Sequence, residues 1–238
     1  GSGTEIDAYV TGENKYGDYW GIMDNVLTSL GEITLKPGTN VTPSEGDHSP
    51  LQYYGGGWPE IWELEDFYGQ QVEDEDPYPF GTINLNGVDM DLGPLYRDGE
   101  LDIVNSSNTP ATLTLTGTIY ITGDTLIGKT GRDFTLDLND QTIFVASNSS
   151  DPQKALWIGG QCTIEGPGCI VAIGDIYFEP NIEAGMTEPI FIMSVTGETF
   201  TQPGGDFYGS IAGNVEVQLQ PGTSVNYPEE ENWYSEYN

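Results

Sequence analysis

The side chains of this chain that could do chemistry are almost all carboxylates. The sequence has 38 acidic residues, 6 basic residues and one histidine, for a formal net charge of -32. That single histidine, His48, lies in the acidic, loop-like stretch EGDHSP and is most simply read as an exposed loop residue. A Ser-His-Asp or Cys-His site needs a histidine base, and a zinc hydrolase needs several His or Cys ligands. The composition therefore argues against both classes of enzyme.

Paired carboxylates leave glycoside hydrolysis as the one reaction that the composition allows. Two carboxylates at a suitable separation suffice for it, and TLDLNDQT places Asp137 and Asp140 at the edge of an expected strand. The alternative is that both side chains cap a turn or bond nearby backbone groups. Basic residues that could hold an acidic polysaccharide are scarce in the body of the chain. We therefore predict a protein that is not an enzyme, with glycan binding or glycan cleavage as the alternative.

Clustered acidic side chains also suit calcium, which prefers carboxylate and carbonyl oxygens in loops. No EF-hand spacing and no GGxGxD repeat occurs in the sequence, and solvated acidic surface is the competing interpretation. We predict no required cofactor and name Ca²⁺ as the candidate ligand. The acidic run Glu73 to Asp76 suits the same role, and the candidate metal ligands are Asp89, Asp91, Asp137, Asn139 and Asp140.

Two cysteines, Cys162 and Cys169, lie seven residues apart in QCTIEGPGCI. The Gly-Pro-Gly turn between them would allow the two sulfurs to approach, which favours a disulfide. A disulfide would indicate an oxidising, extracytoplasmic location. The alternative is a pair of reduced cysteines packed in a core.

Aromatic residues are concentrated in LQYYGGGWPEIWELEDFYG, residues 51 to 69. Exposed aromatic side chains beside glycine loops form subunit interfaces or stack on sugar rings. The third interpretation is a small core that closes one end of the fold. The candidate contact residues are Tyr53, Tyr54, Trp58, Trp62, Phe67 and Tyr68.

The charge balance limits the partners that the protein can bind. Nucleic acids and anionic lipids both require clustered Lys and Arg, which this chain lacks. The remaining candidate partners are cations, neutral glycans and basic proteins. Further copies of the chain are also candidates once cations screen the repulsion. No run of 18 apolar residues is present, so we expect no membrane span in this sequence.

The elements that would position these residues read mainly as strands. Runs of four to six β-branched or aromatic residues are bounded by Gly, Pro, Asn or Asp, and only residues 19–30 and 58–67 read as helices. TIYI, TIFV and TIEG begin at Thr118, Thr142 and Thr163, a recurrence typical of stacked strand-rich units. We therefore predict an all-β fold, a β-solenoid resembling a parallel β-helix.

Alternation assigns the faces of these strands. Leu113, Leu115, Ile119 and Ile121 should point inward, while the intervening threonines and Tyr120 should point outward. GCIVAIGDIYF, from residue 168, is apolar on both faces, so we expect another part of the chain to cover it.

A second internal similarity is found between EITLKPGTNV, residues 32–41, and EVQLQPGTSV, residues 216–225. Both read as a strand, a Pro-Gly turn and a returning valine. We interpret them as two similar units that bracket the body of the fold.

The later half of the chain resembles the ectodomains of type IV pilin-like surface proteins and related bacterial envelope proteins with β-solenoid passengers. The stretches that carry this resemblance are GCIVAIGDIYF, PIFIMSVTGETF and GDFYGSIAGNVEVQLQPG, within residues 110–228. The chain departs from a pilin because it shows no N-terminal apolar helix. The resemblance implies an extracellular, non-catalytic surface protein and supplies no catalytic residues.

The organisation expected from the sequence has three parts. Residues 1–80 form an aromatic-rich, partly irregular cap region, residues 81–228 form the solenoid body, and residues 229–238 form an acidic tail. The expected function is a structural or adhesive subunit of a cell-surface appendage, pilus-like or filamentous. It would self-associate through its aromatic and acidic loops.

Overall fold

A computed structural model of the protein describes residues 27–29, 31–42, 58–128, 132–150, 154–160 and 162–226. These residues form 22 strands and, within the described ranges, a single helix. Every strand pairing among them is parallel. The prediction of an all-β fold is thereby confirmed, and the sheets are parallel ones.

The strands are arranged in three ladders, and the chain visits the ladders in a constant order. Ladder 1 is an eight-stranded sheet. From one end to the other it contains β4 (Thr82–Asn84), β7 (Leu101–Val104), β10 (Thr125–Ile127), β13 (Leu156–Ile158), β16 (Ile176–Phe178), β19 (Glu198–Thr201), β21 (Glu216–Leu219) and β2 (Glu32–Leu35).

Ladders 2 and 3 are joined into one 14-stranded sheet by a long strand, β20 (Asp206–Gly213), which belongs to both. Ladder 2 contains β5 (Met90–Leu92), β8 (Ala111–Leu115), β11 (Phe134–Asp137), β14 (Cys162–Glu165), β17 (Glu183–Ala184), the start of β20, β22 (Ser224–Asn226) and β3 (Asn40–Thr42). Ladder 3 contains β6 (Leu95–Arg97), β9 (Ile119–Ile121), β12 (Gln141–Val145), β15 (Gly168–Ala172), β18 (Ile190–Ser194), the end of β20 and β1 (Leu27–Ser29).

We use the word rung for one strand from each ladder in chain order, so that β4, β5 and β6 form the first rung. Successive rungs pair in register; Ile119, for example, pairs with Ile143, and Ile143 pairs with Ile170. Parallel strands need a connection that returns to the same edge, and here the other two ladders supply that connection. Each rung therefore lies directly on the previous one.

The main core lies between the ladders and is lined by the inward side chains of every rung. Leu113, Leu115, Ile119 and Ile121 are all fully buried, whereas Tyr120 is only half-buried, as the alternation predicts. Each fully buried Leu or Ile side chain contributes about 1.5–3 kcal/mol. The repetition of these positions along the stack accounts for the stability of the described part of the chain.

The one helix of the described residues, α1 (Ile61–Gln70), covers the outer face of ladder 3. Its first turn is closed by the Glu60 backbone N–H, which donates to the Glu63 carboxylate at 3.4 Å. Leu64 and Tyr68 pack on the ladder in a second cluster with Val171, seven other buried residues and three half-buried ones. The expectation that GCIVAIGDIYF is covered on both sides is confirmed for β15 but not for β16, where Tyr177 is half-buried. The predicted helix over residues 58–67 lies three residues further along the chain.

Two expectations about individual segments differ from the structure. The helix predicted over residues 19–30 is wrong at Leu27–Ser29, which form β1, and its first eight residues lie outside the described ranges. TIEG is not a third copy of TIYI and TIFV, because Thr163 lies in ladder 2 and those two lie in ladder 3. A strand-forming tetrapeptide recurs in both ladders, so spacing alone could not assign the ladder.

The two similar segments, 32–41 and 216–225, do not bracket the fold; they are neighbours. Glu32 pairs with Glu216, Leu35 with Leu219 and Val41 with Val225. Residues 27–29 and 31–42 thus extend all three ladders beyond the last strands of the C-terminal part. Their similarity follows from packing, since two adjacent rungs present the same inward positions and the same turn.

Candidate functional site

The two cysteines lie on different ladders, Cys162 on β14 and Cys169 on β15, and their side chains are buried in different clusters. Cys162 points into the core between the ladders, whereas Cys169 points into the cluster beneath α1. The structure contains no disulfide between them, so the predicted disulfide is wrong. The reason is alternation: Ile170 and Ala172 occupy the inward positions of β15 and leave the outward ones to Cys169 and Val171. Burial raises the pKa of the Cys162 thiol, so it is a packing residue.

The candidate metal ligands are spread over several turns, and most of them bond nearby backbone groups. Asp89 Oδ1 accepts from the Thr112 N–H at 2.8 Å, and Asp137 Oδ1 accepts from the Asn139 N–H at 3.0 Å. The Asn139 amide donates to the Leu115 carbonyl at 2.8 Å, which ties two rungs together. Asp140 donates its backbone N–H to the Pro167 carbonyl, and Asp91 is exposed on β5.

Within the described ranges, no three His, Cys, Asp or Glu side chains converge in a way that could hold a metal ion. The local backbone contacts agree with the alternative given above for Asp137. Calcium binding remains a prediction.

The aromatic segment divides into buried and exposed members. Tyr68 is buried and stacks on Phe144 with ring centroids 4.7 Å apart, and the Trp58 indole N–H donates to the Val195 carbonyl at 2.6 Å. Trp62 is 65% exposed and Phe67 is 36% exposed. Tyr53 and Tyr54, like His48, lie outside the described residues. Trp58 and Tyr68 thus belong to a small core, but this core lies beneath α1 on the outer face of ladder 3 and does not close an end of the stack. Trp62 lies on the exposed face of α1.

A second aromatic column, which we call the ladder 1 column, runs along the outer face of ladder 1. Trp157, Tyr177 and Phe200 are register partners on three consecutive rungs and are all half-buried. Their ring centroids are 4.6 Å and 5.3 Å apart, and the planes of Tyr177 and Phe200 differ by only 6°. The faces of Tyr177 and Phe200 therefore lie against one another, and the plane of Trp157 is tilted by 46° against that of Tyr177. A sugar stacks on an exposed ring face, so the geometry of this column does not favour a glycan platform.

An ion-paired group, which we call the Lys154 triad, flanks the ladder 1 column. Lys154 Nζ lies 3.3 Å from Asp175 Oδ2 and 3.2 Å from Glu198 Oε1. The side chains of Lys154 and Asp175 are only 7% and 6% exposed. Burial by itself lowers the pKa of Lys154, but the hydrogen bond to Glu198 and the charge of Asp175 outweigh it and raise the pKa. The ammonium form is therefore favoured.

Three of the eight large exposed apolar side chains among the described residues lie at one end of the stack. Phe80 precedes the first rung, Val88 lies in its first turn and Met90 lies on β5; they are 64%, 66% and 36% exposed. Among the described residues, no strand pairs with the outer edges of β4 and β5. We call this surface the first-rung edge. An unpaired strand edge is a template for pairing with another chain.

The opposite end is formed by β1, β2 and β3. Its inward residues Ile33 and Leu35 are only half-buried, although they pack on the main core. Glu32, Glu216 and Glu198 are successive register partners on its outer face. Like charges directly opposite one another are destabilising unless they are screened. Both ends of the stack therefore combine apolar groups with carboxylates.

No family model, no curated protein and no solved structure matches this chain. The described helix is neither long nor apolar enough to cross a bilayer.

Sequence reasoning missed the ladder 1 column, the Lys154 triad and the first-rung edge. The column had a readable signal, because Trp157, Tyr177 and Phe200 are each the middle residue of an apolar or β-branched triplet. Lys154 had a weaker one, as one of 6 basic residues in an acidic chain. The first-rung edge had none, because which strand lies at the end of a stack depends on pairing between distant segments.

Proposed function

We propose that the chain is a structural subunit of an extracellular, cell-surface assembly, and that its strands form a β-solenoid. The subunit would be non-catalytic and would associate end to end with further copies. The parallel rungs support the solenoid interpretation, since three ladders visited in constant order are what successive turns of one coil produce. The proposal rests chiefly on the first-rung edge, where open strands and exposed apolar residues occur together.

The partner of the first-rung edge in this proposal is the end of a second copy formed by residues 27–42. That end offers β2 and β3, which run in the same direction through ladders 1 and 2 as β4 and β5 do. Its half-buried Ile33 and Leu35 would complete the core across the contact. Each copy would then continue the stack of the next, as residues 32–41 continue residues 216–225 within one chain.

Cations would control this association because both ends are acidic. Asp91 lies on the edge strand β5, and Glu32 lies on β2 at the opposite end. A chain of net charge -32 repels its copies at low ionic strength, and salt shortens the range of that repulsion. We therefore expect monomers in low salt and longer assemblies when NaCl or CaCl₂ is added.

The test is sedimentation velocity of the purified chain and of Val88→Glu in low and high salt. The wild type is expected to gain mass with salt, whereas Val88→Glu stays monomeric because it adds a charge to the first-rung edge. Met186→Glu is the matched control, since Met186 is 46% exposed but lies between β17 and β18, in the middle of the stack. A wild type that is monomeric in every salt condition, or a Met186→Glu variant that is equally impaired, would contradict the proposal.

A further inference from the structure

We propose that the Lys154 triad forms an isopeptide bond between Lys154 and Asp175, with Glu198 as the catalytic residue. The three residues lie at three consecutive rungs of ladder 1, with Lys154 just before β13, Asp175 just before β16 and Glu198 on β19. A bond from Lys154 Nζ to Asp175 Cγ would join two rungs covalently through their side chains. This inference does not depend on end-to-end association.

The nucleophile and the electrophile are already in contact. Lys154 Nζ is 3.3 Å from Asp175 Oδ2, and both side chains are more than nine-tenths buried. Groups held at this separation react as if they were very concentrated, with effective molarities on the order of 10⁵ M or more. Exclusion of water from the two side chains also favours condensation over hydrolysis.

Two further groups are placed for the chemistry. The Glu198 carboxylate, 3.2 Å from Lys154 Nζ, can take a proton from the amine and return it to the leaving oxygen. The Glu198 backbone N–H donates to Asp175 Oδ1 at 2.9 Å, where negative charge develops when the carbonyl carbon is attacked. Gly197 allows this approach, because a Cβ there would lie only 2.2 Å from Asp175 Oδ1.

The reaction balances without any co-reactant. One proton passes from the Lys154 ammonium to the Asp175 carboxylate, which leaves a neutral amine and a neutral acid. The amine attacks Cγ, the N–C bond forms, and a second proton moves through Glu198 to Oδ2. The Cγ–Oδ2 bond then breaks and one water molecule leaves. An ammonium and a carboxylate are thereby converted into an amide and water, with no change in oxidation state.

The first proton transfer is the costly step, because the surrounding carboxylates raise the pKa of Lys154. The ion pair is therefore the starting state, and bond formation is expected to be slow after folding. Amide formation would remove two buried charges, whose desolvation is unfavourable in the ion-paired state.

The test is the intact mass of the purified chain, followed over time after refolding. The wild type is expected to become lighter than its sequence mass by one water molecule, and a chymotryptic digest should contain a peptide that joins Lys154 to Asp175. Lys154→Arg keeps the positive charge but cannot form this bond, and Glu198→Gln removes the base, so both should keep their sequence masses. Glu216→Gln, the neighbouring carboxylate on ladder 1, is the matched control and should lose water like the wild type.

Two results would overturn the inference. One is a wild type that keeps its full sequence mass after prolonged incubation, which would leave the triad an ion pair only. The other is a loss of water that persists in Lys154→Arg. Such a loss would belong to a different dehydration, for example succinimide formation at Asp98–Gly99.

Discussion

Two aromatic columns run along the outside of this molecule, and their surroundings differ. On ladder 3, Tyr96, Tyr120 and Phe144 follow one another with centroids 5.7 Å and 5.1 Å apart, and Tyr68 of α1 stacks on the last of them. We call this the ladder 3 column. The ladder 1 column has similar spacing, but in place of a helix it is flanked by the Lys154 triad. The ladder 3 column runs from the half-buried Tyr96 and Tyr120 to the fully buried Phe144 beneath α1, whereas the ladder 1 column is half-buried throughout.

The difference shows what decides whether an outward aromatic residue is structural. Stacking satisfies the ring faces in both columns, but only the helix removes the remaining ring edges from water. The burial of the strands shows the same difference. Every residue of β15 and β18 in ladder 3 is buried, whereas buried and half-buried residues alternate in β13 and β16 of ladder 1. A strand with two apolar faces therefore indicates a cover before the cover itself is found.

The sharpest test of this comparison replaces one phenylalanine in each column. Phe144 is fully buried, and Phe144→Ala should lower the free energy of unfolding by about 4 kcal/mol, because it removes a ring and leaves a cavity beneath α1. Phe200→Ala, the matched change in the half-buried column, should cost about 1.5 kcal/mol. Urea unfolding followed by circular dichroism measures both values. Equal losses would mean that α1 contributes no extra burial to the ladder 3 column.

A smaller difference in stability is expected between substitutions of Trp58 and Trp62, the two tryptophans in and just before α1. Trp58→Phe removes the indole donor to the Val195 carbonyl and should cost about 1 kcal/mol. Trp62→Phe changes a side chain that is 65% exposed and should leave stability within about 0.5 kcal/mol of the wild type. Thermal unfolding of the two variants side by side checks the order. A larger loss at Trp62 would place that residue in a contact of its own.

The sequence predicted those features that depend on local alternation. The inward positions Leu113, Leu115, Ile119 and Ile121 were assigned correctly, since a strand with one covered face repeats every two residues. The two-sided strand in GCIVAIGDIYF and the helix after residue 58 followed from the same reasoning. The predicted disulfide is wrong for a local reason as well. The Gly-Pro-Gly turn between the cysteines does not show which face of its strand each cysteine occupies.

Features that depend on pairing between distant segments could not be predicted. Residues 32–41 and 216–225 were recognised as similar, yet nothing in either segment shows that they are adjacent. The same limit applies to the Lys154 triad, whose members lie 21 and 44 residues apart along the chain. A lysine, an aspartate and a glutamate become a reactive group only when the rungs are in register.

The smallest expected effect concerns Tyr120, which lies where the ladder 3 column leaves the cover of α1. Burial, the charge of Glu65 on the helix and the nearby Tyr96 raise the pKa of its hydroxyl to about 12. A phenol whose pKa is higher in the folded state stabilises the fold below its unfolded value, about 10. This contribution is lost as the pH rises from there towards 12. Glu65→Gln removes the nearby negative charge, so it should lower the pKa of Tyr120 and shift its phenolate absorbance to lower pH. An unshifted absorbance titration would show that α1 does not hold Glu65 close to the column.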